Sequence, residues 1–412
     1  MSPAAYSEGL GSKDTGSKIR SVTSKNRMVK PFVPEYPQLS AEQELILCCA
    51  RTHVEPSQVA RVGSLLDSEL DWQRLLSYGS RHGVLPLVYE NLKRLAPEKV
   101  PEVWLLSLER SFKARILCNL RMVTELFEVL KSLEREGIKA LPHKGPVLAV
   151  LAYKRLSLRE FVDLDLVVDQ REIPRVYERM TAIGYQSAYP WNNREWIRHI
   201  PGQYRFTKHH RKVEVHTPQT MRYFPRPLDL SAILSRVRAI SLAGHELPCI
   251  AAEDLLPMLC VHGSTHLWDS LKWICDIAEL IRNAVTLDWE MTAARARELA
   301  CERMLFLGLY LAKELFQTAL PEAISQAISE DRAVERMSRR IFPLLFESLS
   351  PPGLLERCHF RFRMSGGALR GARYCWRMAF SPTEDDWAGS RLPPSISSIL
   401  RPLRLASKYG WA

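Results

Sequence analysis

Apolar positions recur every three and four residues from Ala41 to about Arg135: Leu45, Cys48 and Cys49, then Leu105, Leu108 and Phe112, then Ile116, Leu120, Val123, Leu126, Phe127 and Leu130. That spacing predicts an N-terminal helical bundle, broken at Gly83 and at the Pro97–Pro101 turn, whose last helix (103–135) feeds a strand at 138–142. The period then falls to two. In Val162–Val168, residues Val162, Leu164, Leu166 and Val168 face one way, and Asp163 and Asp165 face the other. A helix over 171–183 ending at Gly184 comes next, then an aperiodic stretch, 186–202, read as a loop over the active site. Gln203–Lys208 and Val213–His216 predict a hairpin with a polar turn at His209–Lys212. Helical spacing returns from Ala251, with a pair at Glu253–His266 and Ser270–Asn283, and continues to about Ala379. Pro382–Ser398 reads as an extended linker and Ile399–Lys408 as a short amphipathic basic segment.

The change of period frames the chemistry. Two carboxylates on one strand face lie roughly 6–7 Å apart and repel unless something neutralises them. A divalent cation does this, and two carboxylates with a substrate phosphate suit Mg²⁺; the plainer alternative is a solvated strand face. Upstream, Lys144-Gly145-Pro146 ends one strand and opens a helix. Gly145 allows close backbone approach, Pro146 suits a first helical position, and the helix N-terminus attracts phosphate. An ordinary turn has the same appearance. Downstream, Glu214 lies between Val213 and Val215 and shares its face with His216; it is either a third carboxylate of the site or a surface glutamate on an edge strand.

Taken together, Lys144-Gly145, Tyr153, Arg159, the Asp163–Val168 run and Val213-Glu214-Val215-His216 resemble the bacterial uncharacterised nucleotidyltransferase family, within the DNA polymerase β-like nucleotidyltransferase superfamily. The resemblance extends to Ser80–Leu87, Leu259–His266, Leu271–Asp276 and Leu400–Leu405, and so covers the chain from about residue 40 onward. It implies an enzyme that moves a nucleoside monophosphate from a nucleoside triphosphate to an acceptor hydroxyl, releasing pyrophosphate. Asp163, Asp165 and Glu214 would hold two Mg²⁺ ions, with Mn²⁺ as an alternative, and Glu214 would help activate the acceptor. Lys144, Gly145 and Arg159 would bind the triphosphate, although the Arg159 guanidinium is also placed to pair with Glu160. Lys272 would reach the triphosphate or the acceptor from the later helices, or else serve only in packing. The acceptor is open: a small molecule, a sugar, a protein side chain or a nucleic-acid end. One position departs from the superfamily. Pro146, after the glycine, has neither hydroxyl nor N–H, and a binding or regulatory protein that keeps the fold without catalysis is the alternative.

Bulk properties refine this only slightly. The 412 residues carry a net charge of +11, with 46% hydrophobic and 25% charged residues, which is ordinary for a globular protein with room for an ample core. No apolar run approaches the roughly 20 residues needed for a transmembrane span and no secretory h-region opens the chain, so a cytoplasmic enzyme is expected. The nine cysteines lack a Cys-x-x-Cys pair, as expected of reduced thiols. Part of the charge lies in the first thirty residues (Lys13, Lys18, Arg20, Lys25, Arg27, Lys30), a Ser- and Gly-rich stretch expected to be disordered. More follows from Arg357 to Lys408, interleaved with Phe360, Phe362, Tyr374, Trp376 and Phe380. That patch is either a solvated helix face or a contact for RNA, another polyanion or a membrane surface. His262 and His266 have zinc-ligand spacing but no evident third ligand. The expected architecture is α+β: a small mixed β-sheet nucleotidyltransferase core at 136–245, between a helical region at 41–135 and a helical domain at 246–380. A basic tail (1–40) precedes these, and a linker with a basic segment (381–412) follows.

Overall fold

A computed structural model describes residues 39–187, 202–218, 224–284, 286–347, 352–381 and 394–410. Five helices come first: α1 (Ala41–Cys49), α2 (Pro56–Leu66), α3 (Trp72–Arg81), α4 (Leu85–Leu95) and α5 (Glu102–Arg135). Ser40 caps α1 through a capping box with Gln43, Asp71 caps α3, and Gly83, at φ +64°, turns the chain from α3 into α4. At 34 residues, α5 runs about 50 Å and forms the back wall of the sheet.

The sheet contains β1 (Leu141–Pro142), β2 (Asp163–Val167), β3 (Gln186–Ser187), β4 (Gln203–Lys208) and β5 (Arg211–His216), in the order β1-β2-β5-β4-β3. Only β2 and β5 are parallel; the other neighbours are antiparallel. Between β1 and β2 lies α6 (Gly145–Tyr153), and α7 (Ile173–Ala182) follows β2. Leu164, Leu166, Tyr204, Phe206, Val213 and Val215 pack from one sheet face onto Val123, Leu126 and Val129 of α5 and Val176 and Met180 of α7. The alternation that buries these residues turns Asp163, Asp165 and Glu214 to the other face. A separate hairpin, β6 (Arg238–Leu242) and β7 (His245–Cys249), follows α8 (Leu230–Leu234).

The rest is helical: α9 (Ala252–Thr265), α10 (Leu271–Asn283), α11 (Trp289–Glu298), α12 (Glu302–Phe316), α13 (Glu322–Glu330), α14 (Arg332–Phe346), α15 (Leu354–Met364), α16 (Ala368–Phe380) and α17 (Pro394–Tyr409). The helical segments on either side of the sheet in sequence meet in space. Gln43 Nε2 donates to the Phe346 carbonyl at 2.6 Å, Arg51 donates to the Phe316 carbonyl at 3.3 Å, and His82 Nε2 lies 3.0 Å from the Leu345 carbonyl. No helix among the described residues is long and apolar enough to cross a membrane.

The structure is α+β with helices flanking a small mixed sheet, as the pattern predicts; several boundaries differ. The strand at 138–142 shrinks to Leu141–Pro142, because only these residues find partners on β2. Val162, expected on the core face, is 67% exposed and lies outside β2; Phe161 packs into the core there. The hairpin turn is His209-His210 alone, at φ 47° and 64°, a two-residue turn with both residues in the left-handed region. Arg211 and Lys212, assigned to the turn, therefore belong to β5. The extended linker to Ser398 is overturned at its end, since α17 begins at Pro394. Phe360, Tyr374 and Arg401 of the C-terminal basic patch are buried, whereas Phe362, Arg370, Arg373, Trp376 and Lys408 are exposed. The basic tail, most of the 186–202 loop and the first part of the linker lie outside the described residues.

Candidate active site

The polar sheet face forms the floor of a cleft of about 470 Å³ roofed by α9, the start of α10 and the α3–α4 turn. Register places its acids. In the parallel pair, Asp163 lies beside Lys212 and Asp165 beside Glu214; across the hairpin, Arg205 lies beside Glu214. All these positions share one parity and face the cleft. The Asp-x-Asp pair and Glu214 thus converge, with Asp165 and Glu214 buried at 6% and 7% exposure.

Cationic and imidazole groups link the acids. Lys212 Nζ contacts Glu214 Oε1 and lies 3.6 Å from Asp163 Oδ2, bridging the two. His216 Nε2 lies 2.9 Å from Asp165 Oδ1 and 3.8 Å from Glu214 Oε2. Lys144 Nζ lies 3.4 Å from Asp165 Oδ1. Gln203 Nε2 donates to Glu214 Oε2 at 2.7 Å, and Arg205 Nε stands 3.7 Å from Oε1.

These surroundings split the two aspartates. Burial pushes the Asp163 carboxyl up, and the charges of Asp165 and Glu214 push it further. Burial also acts on Asp165, but Lys144, the His216 hydrogen bond and nearby His143 outweigh it and hold that carboxyl well below the usual range. Asp163 therefore carries a charge that its neighbours leave under-compensated, on the open side of the cluster. That electrostatic demand, on a cleft floor where three carboxylates come from adjacent strands, suits a cation; among the described residues, the group whose ligand atoms all lie within 4.8 Å of one another is His143, Asp165 and His216.

The turn before α6 braces this floor. Gly145 has φ +54°, and a Cβ there would lie 3.2 Å from the Asp163 carbonyl oxygen. Its close approach is thus to the Asp-x-Asp strand itself. Gly145→Ala is expected to destabilise the protein by at least about 1 kcal/mol in urea denaturation, because L-residues resist this conformation, and to lower activity by displacing Asp163.

Arg159 departs from both of its sequence readings in one respect. Its guanidinium lies at the cleft wall but forms a bidentate pair with Asp276 of α10, at 2.7 and 2.9 Å. Tyr153 donates to the same Asp276 carboxylate at 2.8 Å. Glu160 pairs instead with Arg115 at 3.0 Å. Lys272 lines the cleft with its ammonium 4.2 Å from the Trp273 ring centroid; burial and then Arg159 lower its pKa. His262 and His266 group around Trp273, with centroids 4.6 and 5.4 Å from it, and among the described residues no metal-binding cluster includes them.

Residues that the sequence reading gave no part in the chemistry join the site: Lys212, Gln203, Arg205, His143 and Asp276. Lys212 was within reach, since it lies two residues before Glu214 and period two puts both on one face. Asp276 carried no such signal, because its partner lies 117 residues away.

Comparison with known proteins gives one match that spans most of the chain. A family model described as uncharacterised nucleotidyltransferase matches residues 68–317. No curated protein matches. Two solved structures are similar over parts of the chain. Lincosamide antibiotic adenylyltransferase LnuA, bound to lincomycin, is 18% identical over 32% of this chain and 82% of its own, at a TM-score of 0.24. An antigenic nucleotidyltransferase-like protein from Paracoccidioides brasiliensis is 16% identical over 52% of this chain and 96% of its own, at a TM-score of 0.30. Likenesses this slight carry no weight for substrate or mechanism.

Proposed function

Since the chain belongs to the uncharacterised nucleotidyltransferase family, we propose that it transfers a nucleoside monophosphate from a nucleoside triphosphate to an acceptor hydroxyl, releasing pyrophosphate, with Asp163, Asp165 and Glu214 holding two Mg²⁺ ions. The observation that supports this most directly is the meeting of these three acids, from two neighbouring strands, on the floor of one cleft. When bound, the ions would supply electrostatic stabilisation to the attacking and leaving oxygens. Lys144 sits at the N-terminus of α6, where it and the backbone amides of the first turn offer charge and donors to a triphosphate. Pro146 removes one such donor and leaves its neighbours. Glu214, which accepts a hydrogen bond from Gln203, would take the acceptor's proton. Leu255, Met258, Leu259 and Trp273 also line the cleft, forming an apolar wall against which a base or an acceptor would rest. Arg159 acts on this reading by fixing α10, and hence Lys272 and Trp273, over the cleft.

The test is incubation with Mg²⁺ and each α-labelled nucleoside triphosphate, following pyrophosphate release and label transfer to added acceptors and to the protein itself. Full activity in Asp163→Ala would remove the proposal. Lys144→Met should raise KM for the triphosphate roughly 10- to 100-fold, the worth of one charge-assisted hydrogen bond, with a smaller change in kcat. A second reading, a non-catalytic member of the family, is favoured by one observation: Lys212 supplies a built-in counter-charge between Asp163 and Glu214. Absence of transfer with every nucleotide, alongside retained nucleotide binding, would select it.

A further inference from the structure

Asp165 is surrounded by nitrogen. His143, Asp165 and His216 each offer one ligand atom, these atoms all lie within 4.8 Å of one another, and all three residues are buried. His216 Nε2 and Asp165 Oδ1, hydrogen-bonded at 2.9 Å, need separate by only a few tenths of an ångström to reach the ~3.3 Å between tetrahedral ligands whose bonds each measure ~2.0–2.1 Å. The two imidazole rings stand edge to face, with centroids 5.4 Å apart and planes at 85°. His143 Nδ1 is buried with no hydrogen-bond partner, in a residue only 2% exposed. Such an orphan costs about 1–3 kcal/mol, and a buried, unpartnered imidazole nitrogen is what a metal ligand looks like before its ion arrives.

The backbone fixes the arrangement. The His143 amide donates to the Asp165 carbonyl at 3.2 Å, and the Val168 amide donates to the His216 carbonyl at 2.9 Å, so three ligands on three segments are tied by main-chain bonds. Lys144 shares the Asp165 oxygen at 3.4 Å, on a stem flexible enough to withdraw.

We infer that His143, Asp165 and His216 form a binding site for a transition-metal dication of the Zn²⁺ or Co²⁺ kind, distinct in its preference from the all-carboxylate Mg²⁺ set. Mg²⁺ favours oxygen ligands and retained water, whereas two imidazoles and one carboxylate favour the later first-row ions. Asp165 belongs to both sets. An ion held by the histidines therefore takes an oxygen that the Mg²⁺ pair needs, and Zn²⁺ should inhibit Mg²⁺-supported transfer. That consequence rests on the nucleotidyl-transfer reading; the site itself does not.

The experiment uses Co²⁺ as the probe on the full chain, with equilibrium dialysis for affinity and proton NMR for hyperfine-shifted imidazole N–H signals. The expected result is bound Co²⁺ with such signals from two histidines. His143→Ala and His216→Ala should each weaken Co²⁺ binding by at least about tenfold, and Asp163→Ala should leave the shifted imidazole signals in place while abolishing transfer. Saturating Co²⁺ that yields no shifted imidazole signal in the unmutated protein overturns the inference, whatever the variants do. Signals lost in His262→Ala, and kept in the other two histidine variants, overturn it as well. If Co²⁺ binds as described and no nucleotide is transferred, the site stands and the nucleotidyl-transfer reading falls. If transfer occurs with no imidazole ligation, the reverse holds.

Discussion

Asp165→Asn is expected to lower kcat/KM for nucleotidyl transfer by at least ~10³-fold, the scale lost when a preorganised charged group leaves a phosphoryl-transfer site. Asp163→Asn should do the same to the rate, yet the two variants should differ in stability without added metal. Asp165 is held well below the usual carboxylate range. A depressed group stabilises the fold above its unfolded value of ~3.9 and loses that contribution as pH falls through its folded value. Asp165→Asn should therefore be less stable than the parent at neutral pH, and the difference should vanish in acid. Asp163 is raised by burial and by its acidic neighbours. Its contribution is present at low pH and lost as pH rises, so Asp163→Asn should gain stability at neutral pH. Urea denaturation in the presence of a chelator, at neutral and acidic pH, measures both. A shared sign for the two variants would show that the asymmetry of their surroundings has been misread.

The second large effect lies behind the cleft. Asp276→Ala should destabilise the protein by about 3–5 kcal/mol, because it strands the Arg159 guanidinium in a buried position and removes the acceptor of the Tyr153 hydroxyl. The double variant Arg159→Met/Asp276→Leu should recover most of that loss, since replacing both members of a buried pair with apolar groups leaves no uncompensated charge. In both cases KM for the nucleotide should rise, because the start of α10 carries Lys272 and Trp273 into the cleft wall. Equilibrium denaturation and steady-state kinetics on the same samples separate the effects. An Asp276→Ala protein of parental stability would mean that the pair is not formed in solution.

The acids of the site were legible because they obey a local rule. A period of two decides which way Asp163, Asp165 and Glu214 point, and the apolar residues between them bury the opposite face whatever the rest of the chain does. The long helix α5 was legible for the same kind of reason, with its apolar stripe at a period of 3.6. Lys212 was hidden by a boundary: left-handed histidines at 209 and 210 make a tighter turn than composition suggests, and two residues passed from loop to strand. His143 sits just past the last paired residue of β1, where alternation no longer guides a side chain. Arg159 and Asp276 show the deeper limit. Each looks like a free polar residue in its own segment, and only the docking of α10 beside α6 makes them partners. The burial of Phe360, Tyr374 and Arg401 has the same cause, since a basic stretch reads as surface until another helix covers it.

The hydrogen bond from Gln43 to the Phe346 carbonyl closes a loop of 303 residues. During synthesis at about 5–20 residues per second, α1 waits roughly 15–60 s for α14 to emerge. Over that interval α1 leans on α2, α3 and α4, its neighbours in sequence, while the buried Gln43 amide goes without this acceptor. The joint between the first helix and the late ones therefore closes last, and the yield of folded protein in a cell should respond to the speed of translation more than equilibrium stability would suggest.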